Sequence, residues 1–258
     1  MIGAIAGDII GSVYEAYPIQ TKAFPLFHPQ SRFTDDSVLT TAVAQAILTD
    51  GDYRRWVWEI GRRYPHAGYG GRFITWLHSN DPQPYNSWGN GSAMRVSPVG
   101  WAFDTVDDVL HEAARTAEIS HNHPEGIKGA QAAALSVFLA RTTRDKTLIK
   151  KEIAGRFGYD LDRTVERVRP SYGFDVSCRG TVPEAVISFL DASDYEDAVR
   201  NAVSLGGDSD TLACITGAVS EAYYGPVTPG ITVKVKTILP EDLWLIVEQF
   251  HRQYGPKL

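Results

Sequence analysis

The residues best suited to chemistry lie in two stretches far apart in the chain. Leu205-Gly206-Gly207-Asp208-Ser209-Asp210-Thr211 sets two carboxylates and a threonine hydroxyl behind a pair of glycines. Phe33-Thr34-Asp35-Asp36-Ser37 offers the same residue types near the start. Each opens an apolar run, Leu212 to Tyr224 and Val38 to Leu48, and each run ends on a stop signal, Gly225-Pro226 and Asp50-Gly51. The pattern predicts two helices with acids at their mouths. Acids there have two uses. They cap unpaired N–H groups and complement the helix dipole, or they supply hard oxygen donors for Mg²⁺, Mn²⁺ or Ca²⁺. If the two mouths meet, Asp35, Asp36, Asp208 and Asp210 share one small volume, which demands cations or raised pKa values. The downstream stretch is not an EF-hand loop, because Leu212 onward lacks the later oxygens and glycine. Nor is it a Walker loop, which needs a lysine after the glycines.

A second group of residues suits an anion. Asn86-Ser87-Trp88-Gly89-Asn90-Gly91-Ser92-Ala93-Met94-Arg95 packs small residues around one tryptophan. Glycines let backbone N–H groups approach an anion, Ser87 and Asn90 add side-chain donors, and Trp88 can stack on a base or a ring. A turn-rich loop with Trp88 packed into the core accounts for the same composition. Ser120-His121-Asn122-His123-Pro124 holds two histidines two residues apart, with no further His or Cys at ligand spacing, which argues against zinc. A histidine donating to a phosphate or hydroxyl, or capping a helix, fits better.

These residues need elements to position them. Met1 to Tyr17 has the pattern of a helix with Gly3, Gly7 and Gly11 on one face, so that another helix can approach closely. Each glycine disfavours helix by about 1 kcal/mol relative to alanine, so that contact must offset the loss. Asp8, Ser12 and Glu15 fall on an adjacent polar face, either a site wall or a solvated stripe. Residues 18–31 form a proline-containing loop, and residues 52–64 a helix with a solvated arginine face. Gly68-Tyr69-Gly70-Gly71 breaks the chain before a short amphipathic run over residues 72–78. Asn80 to Pro98 is the longest polar loop, and long loops inside compact chains are commonly functional. Capping signals recur further on. Thr105 stands three before Asp108, and capping boxes are expected at Thr181/Glu184 and Ser193/Glu196. Residues 129–140 predict a buried helix, and residues 241–253 a closing one. Only Ile231-Thr232-Val233-Lys234-Val235-Lys236 alternates as a strand does.

Helical signals thus dominate a chain of 258 residues that has no βαβ rhythm, no repeat and no linker good enough to divide it. Hydrophobic residues at 43% and charged residues at 22% are ordinary for a soluble globular protein. A net charge of −6 argues against general affinity for polyanions, while leaving room for a local phosphate pocket. The two cysteines, Cys178 and Cys214, have neither zinc nor redox spacing and suit a reducing cytosol. The N-terminus lacks the basic residues of a signal peptide, and no stretch has the length of a membrane span. A cytoplasmic protein is expected.

Taken in order, GAIAGDIIGSVYE, FTDDS, GYGG, GNGSAMR, SH, TVPEA and LGGDSDTLACITGAVSEAYYG resemble the ADP-ribosylglycohydrolase family, relatives of the enzyme that reactivates dinitrogenase reductase. The resemblance covers nearly the whole chain, and TDD with GGDSDT carries most of its specificity. It implies a single all-α domain over residues 1–258 with a central cleft holding two Mg²⁺ or Mn²⁺ ions, so the alternating run near residue 233 is not expected to form a sheet. It implies Thr34, Asp35, Asp36, Asp208, Asp210 and Thr211 as metal ligands. Asn86, Ser87, Gly89, Asn90 and Gly91 match the loop that cradles the diphosphate, and Trp88 an aromatic residue stacking near the adenosine. His121 matches a histidine beside the phosphates, Gly70 a glycine near the distal ribose, and Glu15 the catalytic glutamate of one branch. The aspartate that a second branch uses has no convincing equivalent. The implied activity is hydrolysis of the bond between ADP-ribose and a protein side chain, a nucleic-acid base or a small acyl group, with ADP-ribose as product. A non-catalytic ADP-ribose or nucleotide sensor and a two-metal phosphoesterase are the alternatives.

Overall fold

The computed structural model describes residues 1–255 and contains fifteen helices among them. The first four are α1 (Ile2–Gly11), α2 (Asp35–Leu48), α3 (Tyr53–Arg63) and α4 (Gly71–His78). Two short ones, α5 (Gly91–Met94) and α6 (Ser97–Ala102), lead into α7 (Val106–Glu118), the long α8 (Pro124–Thr143) and α9 (Lys146–Phe157). Then come α10 (Val165–Val168), α11 (Cys178–Leu190), α12 (Tyr195–Val203), α13 (Ser209–Tyr224), α14 (Pro229–Ile238) and α15 (Glu241–Tyr254). The fold is all-α, as expected. Among the described residues the sole β feature is an antiparallel bridge between Gly89 and Ser177. Residues 256–258 of the expected domain lie outside the described residues.

The glycines of α1 set the centre of the molecule. Every residue of α1 is buried, and the helix lies directly on the backbone of α13. A Cβ on Gly7 would stand 2.0 Å from the Ala213 carbonyl oxygen, and one on Gly11 would stand 2.4 Å from that of Ser209. No side chain other than hydrogen fits there, so the close approach inferred from the spacing is real. Gly206 and Gly207 have φ of 73° and 93°, a left-handed turn that delivers the chain into α13. Around this pair, α2, α8, α11 and α12 enclose a hydrophobic cluster running from Met1 to Phe250.

Several local expectations need correction. The first helix stops at Gly11, and residues 12–16 are turns, so Glu15 projects from a turn beyond α1. Asp8 and Ser12 are buried, which removes the solvated-stripe option. The long loop ends at Asn90, where α5 begins. Thr105 caps α7 as expected, accepting from the Asp108 N–H. Thr181 instead lies inside α11, whose cap is Ser177 four residues earlier. Pro183 invites a start at Thr181 because proline favours a first turn, yet α11 carries it internally. In α12 the cap falls one residue later than expected, on Asp194, with Asp197 accepting from the Ser193 N–H. The alternating run at 231–236 is the middle of α14, where Ile231 and Val235, four apart, are the buried residues. The period-four pair decides the structure over the period-two pattern.

Candidate functional site

The two acidic stretches converge. Thr34 is the N-cap of α2, its hydroxyl accepting from the Asp36 N–H at 3.4 Å. The threonine therefore does the capping and leaves Asp35 and Asp36 free. Asp208 stands at the N-cap position of α13 and makes no side-chain cap bond. Its carboxylate accepts instead from Asn90 Nδ2 at 2.6 Å. Thr211 Oγ1 donates across to Asp36 Oδ2 at 3.3 Å, joining the mouths of α2 and α13. The capping option thus fails for three of the four aspartates. Carboxylate oxygens of Asp8, Asp36 and Asp210 lie within 4.8 Å of one another, as do those of Glu15, Asp208 and Asp210. Asp210 belongs to both groups.

Burial opposes charge at Asp8, Glu15, Asp35, Asp36 and Asp210. Desolvation, followed by the negative charges of Asp8 and Asp208, pushes Asp35 up to about 8. Burial and neighbouring carboxylates hold Asp36 and Asp210 well above the ordinary range. Glu15 is raised first by burial and then by Asp208, with Arg32 opposing. Asp8 is raised by burial, partly offset by its hydrogen bonds to Ser37 and Thr34.

The cluster forms one end of a cleft of about 410 Å³, within the usual size of small-molecule sites. Beyond it the lining changes sign. Arg72, Arg95 and His121 face the space together with Ser87, Gly89 and Gly91. His121 is buried and held well below the ordinary histidine range by desolvation and then by Arg95 and Arg72. A Cβ on Gly91 would come 3.0 Å from His121 Nε2. Gly70 lines the cleft with φ of −61° and ψ of 147°, and a Cβ there would meet nothing within 4 Å. Neither conformation nor protein packing calls for glycine at that position, so the space above it is the feature that matters.

The sequence profile of the ADP-ribosylglycohydrolase family matches residues 1–251. The chain belongs to that family. Among its relatives, mouse ADP-ribosylhydrolase ARH3 is 27% identical over 306 aligned positions, covering 87% of this chain and 82% of the mouse protein. ADP-ribosylarginine hydrolase Tri1 of Pseudomonas putida is 22% identical, covering 87% of this chain and 69% of its own. A solved structure titled as an ADP-ribosylglycohydrolase-related protein complex shares the fold, with a TM-score of 0.72, 24% identity and coverage of 98% and 97%.

As a member of the ADP-ribosylglycohydrolase family, the chain has an acidic end whose donor set fits hard divalent cations. Six carboxylates, those of Asp8, Glu15, Asp35, Asp36, Asp208 and Asp210, and two threonine hydroxyls converge there. Buried Asp36 Oδ1 has no hydrogen-bond partner among the described residues, and such an atom is costly unless something else binds it. Oxygen-only donors of this kind suit Mg²⁺, Mn²⁺ or Ca²⁺.

Not every expected residue lies in the cleft. Trp88 is 51% exposed, neither stacked in the core nor among the cleft-lining residues, which overturns the packed-core option. Asn86 has φ of 56°, and its N–H donates to Asn122 Oδ1 at 2.8 Å, so it bends the loop. Asn90 spends its amide hydrogens on Thr181 Oγ1 at 3.0 Å and on Asp208. It is a strut between the loop and the acids, and has no side-chain donor left for an anion. His123 caps α8, so the histidine pair divides between a cap and the cleft.

Arg72, Phe174 and Val176 escaped the sequence reading, which had placed Asp8 on a candidate site wall without a stated role. Phe174 and Val176 are exposed apolar side chains on the cleft wall, and the Val176 carbonyl accepts from the Asn90 N–H at 2.8 Å. Nothing local in the sequence marks them. Asp8 did carry a signal, as the single charge in a helix otherwise apolar. Its carboxylate accepts from Thr34 N at 3.0 Å, Thr34 Oγ1 at 2.6 Å and Ser37 N at 3.1 Å, and from Ser37 Oγ. A fully buried carboxylate needs such partners, and these fasten α1 to the start of α2.

Proposed function

We propose that this family member is a metal-dependent hydrolase that releases ADP-ribose by cutting its bond, glycosidic or ester, to an acceptor. One observation carries this: a single cleft joins two oxygen-donor groups sharing Asp210 to a glycine-lined arm framed by Arg72, Arg95 and His121. A diphosphate linked to a ribose has matching halves, anionic at one end and rich in hydroxyls at the other.

Thr34, Asp35, Asp36, Asp208, Asp210 and Thr211 would hold two Mg²⁺ or Mn²⁺ ions, with Asp8 fixing Thr34 from behind. Bound there, the ions would supply Lewis-acid and orienting chemistry at the distal ribose. Gly70 leaves room for that ribose. Ser87, Gly89 and Gly91 approach the diphosphate, His121 Nε2 faces it, and Arg72 supplies positive charge. Phe174 and Val176 offer an apolar wall to the adenosine. Glu15 sits at the cluster edge with its pKa raised by burial and by Asp208, which brings a carboxyl closer to the working range of a general acid or base. It exchanges a proton with the attacking water or the acceptor's leaving atom as the ribose passes through an oxocarbenium-like state.

We take residues 1–258 as one functional unit because the core runs unbroken through the described residues. A cytoplasmic setting is supported by two buried free cysteines. No helix among the described residues is long and apolar enough to cross a membrane. The acceptor classes are a protein side chain, a nucleic-acid base and a small acyl group. The test incubates the Mg²⁺- or Mn²⁺-loaded protein with ADP-ribosylated peptides, ADP-ribosylated nucleic acid and O-acetyl-ADP-ribose, reading free ADP-ribose. Glu15→Gln should lower turnover by roughly 10²–10⁴-fold while metal content and ADP-ribose affinity stay put. Binding without release from any conjugate would leave a sensor in place of an enzyme, and a near-normal rate in Glu15→Gln would remove the carboxyl from the chemistry.

A further inference from the structure

Arg95 is fully buried, yet its hydrogen bonds among the described residues run from one nitrogen only. Nη2 donates to the Thr116 carbonyl at 2.7 Å and to Ser120 Oγ at 2.9 Å. Nε and Nη1 have no hydrogen-bond partner there, and the Phe73 ring lies 6.0 Å from the guanidinium carbon. Ser120 Oγ stands 2.8 Å from His121 Nδ1. The backbone is pinned on both sides, with Tyr85 N donating to Ser120 O at 3.1 Å and His121 N to Ala117 O at 2.7 Å.

Counting hydrogens fixes the state of the ring. Guanidinium nitrogens only donate, so Ser120 Oγ is the acceptor in its bond with Arg95. Its own hydrogen is wholly buried, and His121 Nδ1 is the acceptor that the structure places within reach. A hydrogen on Nδ1 would leave the serine hydrogen stranded in a dry site, a costly arrangement. Two nearby guanidiniums and burial disfavour the doubly protonated ring. A neutral imidazole with its hydrogen on Nε2 remains. That edge faces the glycine loop, since added Cβ atoms on Gly91 and Gly89 would lie 3.0 and 3.6 Å from Nε2.

We infer that Arg95 and Ser120 are positioning residues that lock His121 in its Nε2–H tautomer, so that it presents one fixed donor to an anionic oxygen of the substrate beside Gly89 and Gly91. The relay itself follows from hydrogen bonding alone, whereas its purpose rests on that arm of the cleft seating the diphosphate. Long-range ¹H–¹⁵N correlation spectra of the full, Mg²⁺-loaded chain test it, with His121 assigned by its absence from His121→Gln. The expected pattern is an unprotonated Nδ1 and a protonated Nε2, steady from about pH 6 to about pH 8, with the Nε2–H signal moving on addition of ADP-ribose. Ser120→Ala should mix the two tautomers and weaken ADP-ribose binding by roughly 3- to 10-fold, and Ser120→Thr should restore both. A wild-type ring carrying its hydrogen on Nδ1, or charged at neutral pH, overturns the relay without any variant having to fold. So does a folded Ser120→Ala protein whose ring keeps the pure Nε2–H form. A wild-type ring with the expected tautomer that ignores bound ADP-ribose leaves the relay standing and removes its role at the diphosphate.

Discussion

Asp210 is shared by both donor groups, so Asp210→Asn should disturb metal binding and apo-protein stability in opposite directions. Asparagine keeps the shape and an oxygen for the Thr211 N–H, which donates to Asp210 Oδ1 at 3.0 Å. What it removes is charge. The carboxylate oxygens of each group lie within 4.8 Å of one another, a separation at which two unit charges repel by about 3.5 kcal/mol at an effective dielectric near 20. Protons taken up by the cluster limit the cost, so relief of roughly one such pair is expected. The raised folded-state pKa values set the sign. The folded cluster keeps protons that the unfolded chain has released, so in chelator the wild-type protein loses stability as pH rises from the ordinary 3.8 through about 8 for Asp35. The variant escapes part of that loss. Its advantage should be small in acid and greatest above about pH 8, reaching about 3 kcal/mol, or roughly 6–12 °C in Tm. With saturating Mg²⁺ the order reverses, because ligand binding to the native state stabilises the wild type more. Mg²⁺ affinity should fall by roughly 10²-fold or more, the equivalent of one lost charge contact. Thermal unfolding across pH with and without chelator, and calorimetric Mg²⁺ titration, read both effects. A variant less stable than wild type in chelator at high pH, or one with unchanged Mg²⁺ affinity, would refute the shared-centre reasoning.

Two further substitutions probe the substrate arms. Phe174→Ala should weaken ADP-ribose binding by about 1–3 kcal/mol if this cleft-wall ring stacks on the base, and Trp88→Ala should do much less; a calorimetric comparison showing the reverse order returns stacking to Trp88. Gly70→Thr keeps a residue that N-caps about as well as glycine, and its Cβ meets no neighbour within 4 Å. Its stability should stay within about 0.5 kcal/mol while crowding in the cleft reduces ADP-ribose affinity by roughly 1–2 kcal/mol, whereas lost stability with intact affinity would make the glycine structural.

The parts of the site legible in the sequence were those with local signatures. Thr34, Asp35 and Asp36, and Asp208, Asp210 and Thr211, announce helix starts by residue type alone, and the four-residue glycine spacing announces a helix contact. Their convergence could be suspected because four like charges make little sense apart from a shared function. What stayed hidden depends on distant partners. Asn90 looked like an anion donor until Thr181 and Asp208 took up its amide hydrogens. Phe174 belongs to a loop whose position is fixed by the Gly89–Ser177 bridge, which no local rule encodes. Glu15 is at the site despite a wrong helix boundary, since the turn after Gly11 carries it there. In α14, packing of Ile231 and Val235 outweighed a strand-like alternation of six residues.

The contact between α1 and α13 has a consequence for how this protein tolerates change. Asp8 rides on one helix and Asp210 on the other, and at Gly7 and Gly11 backbone rests against backbone. Most proteins can trade stability against activity, gaining one by substitutions far from the other. Here the separation of the helices is also the separation of the acids they carry. A substitution that wedges the pair apart costs both at once, and compensating stability elsewhere in the core can restore folding without restoring the spacing.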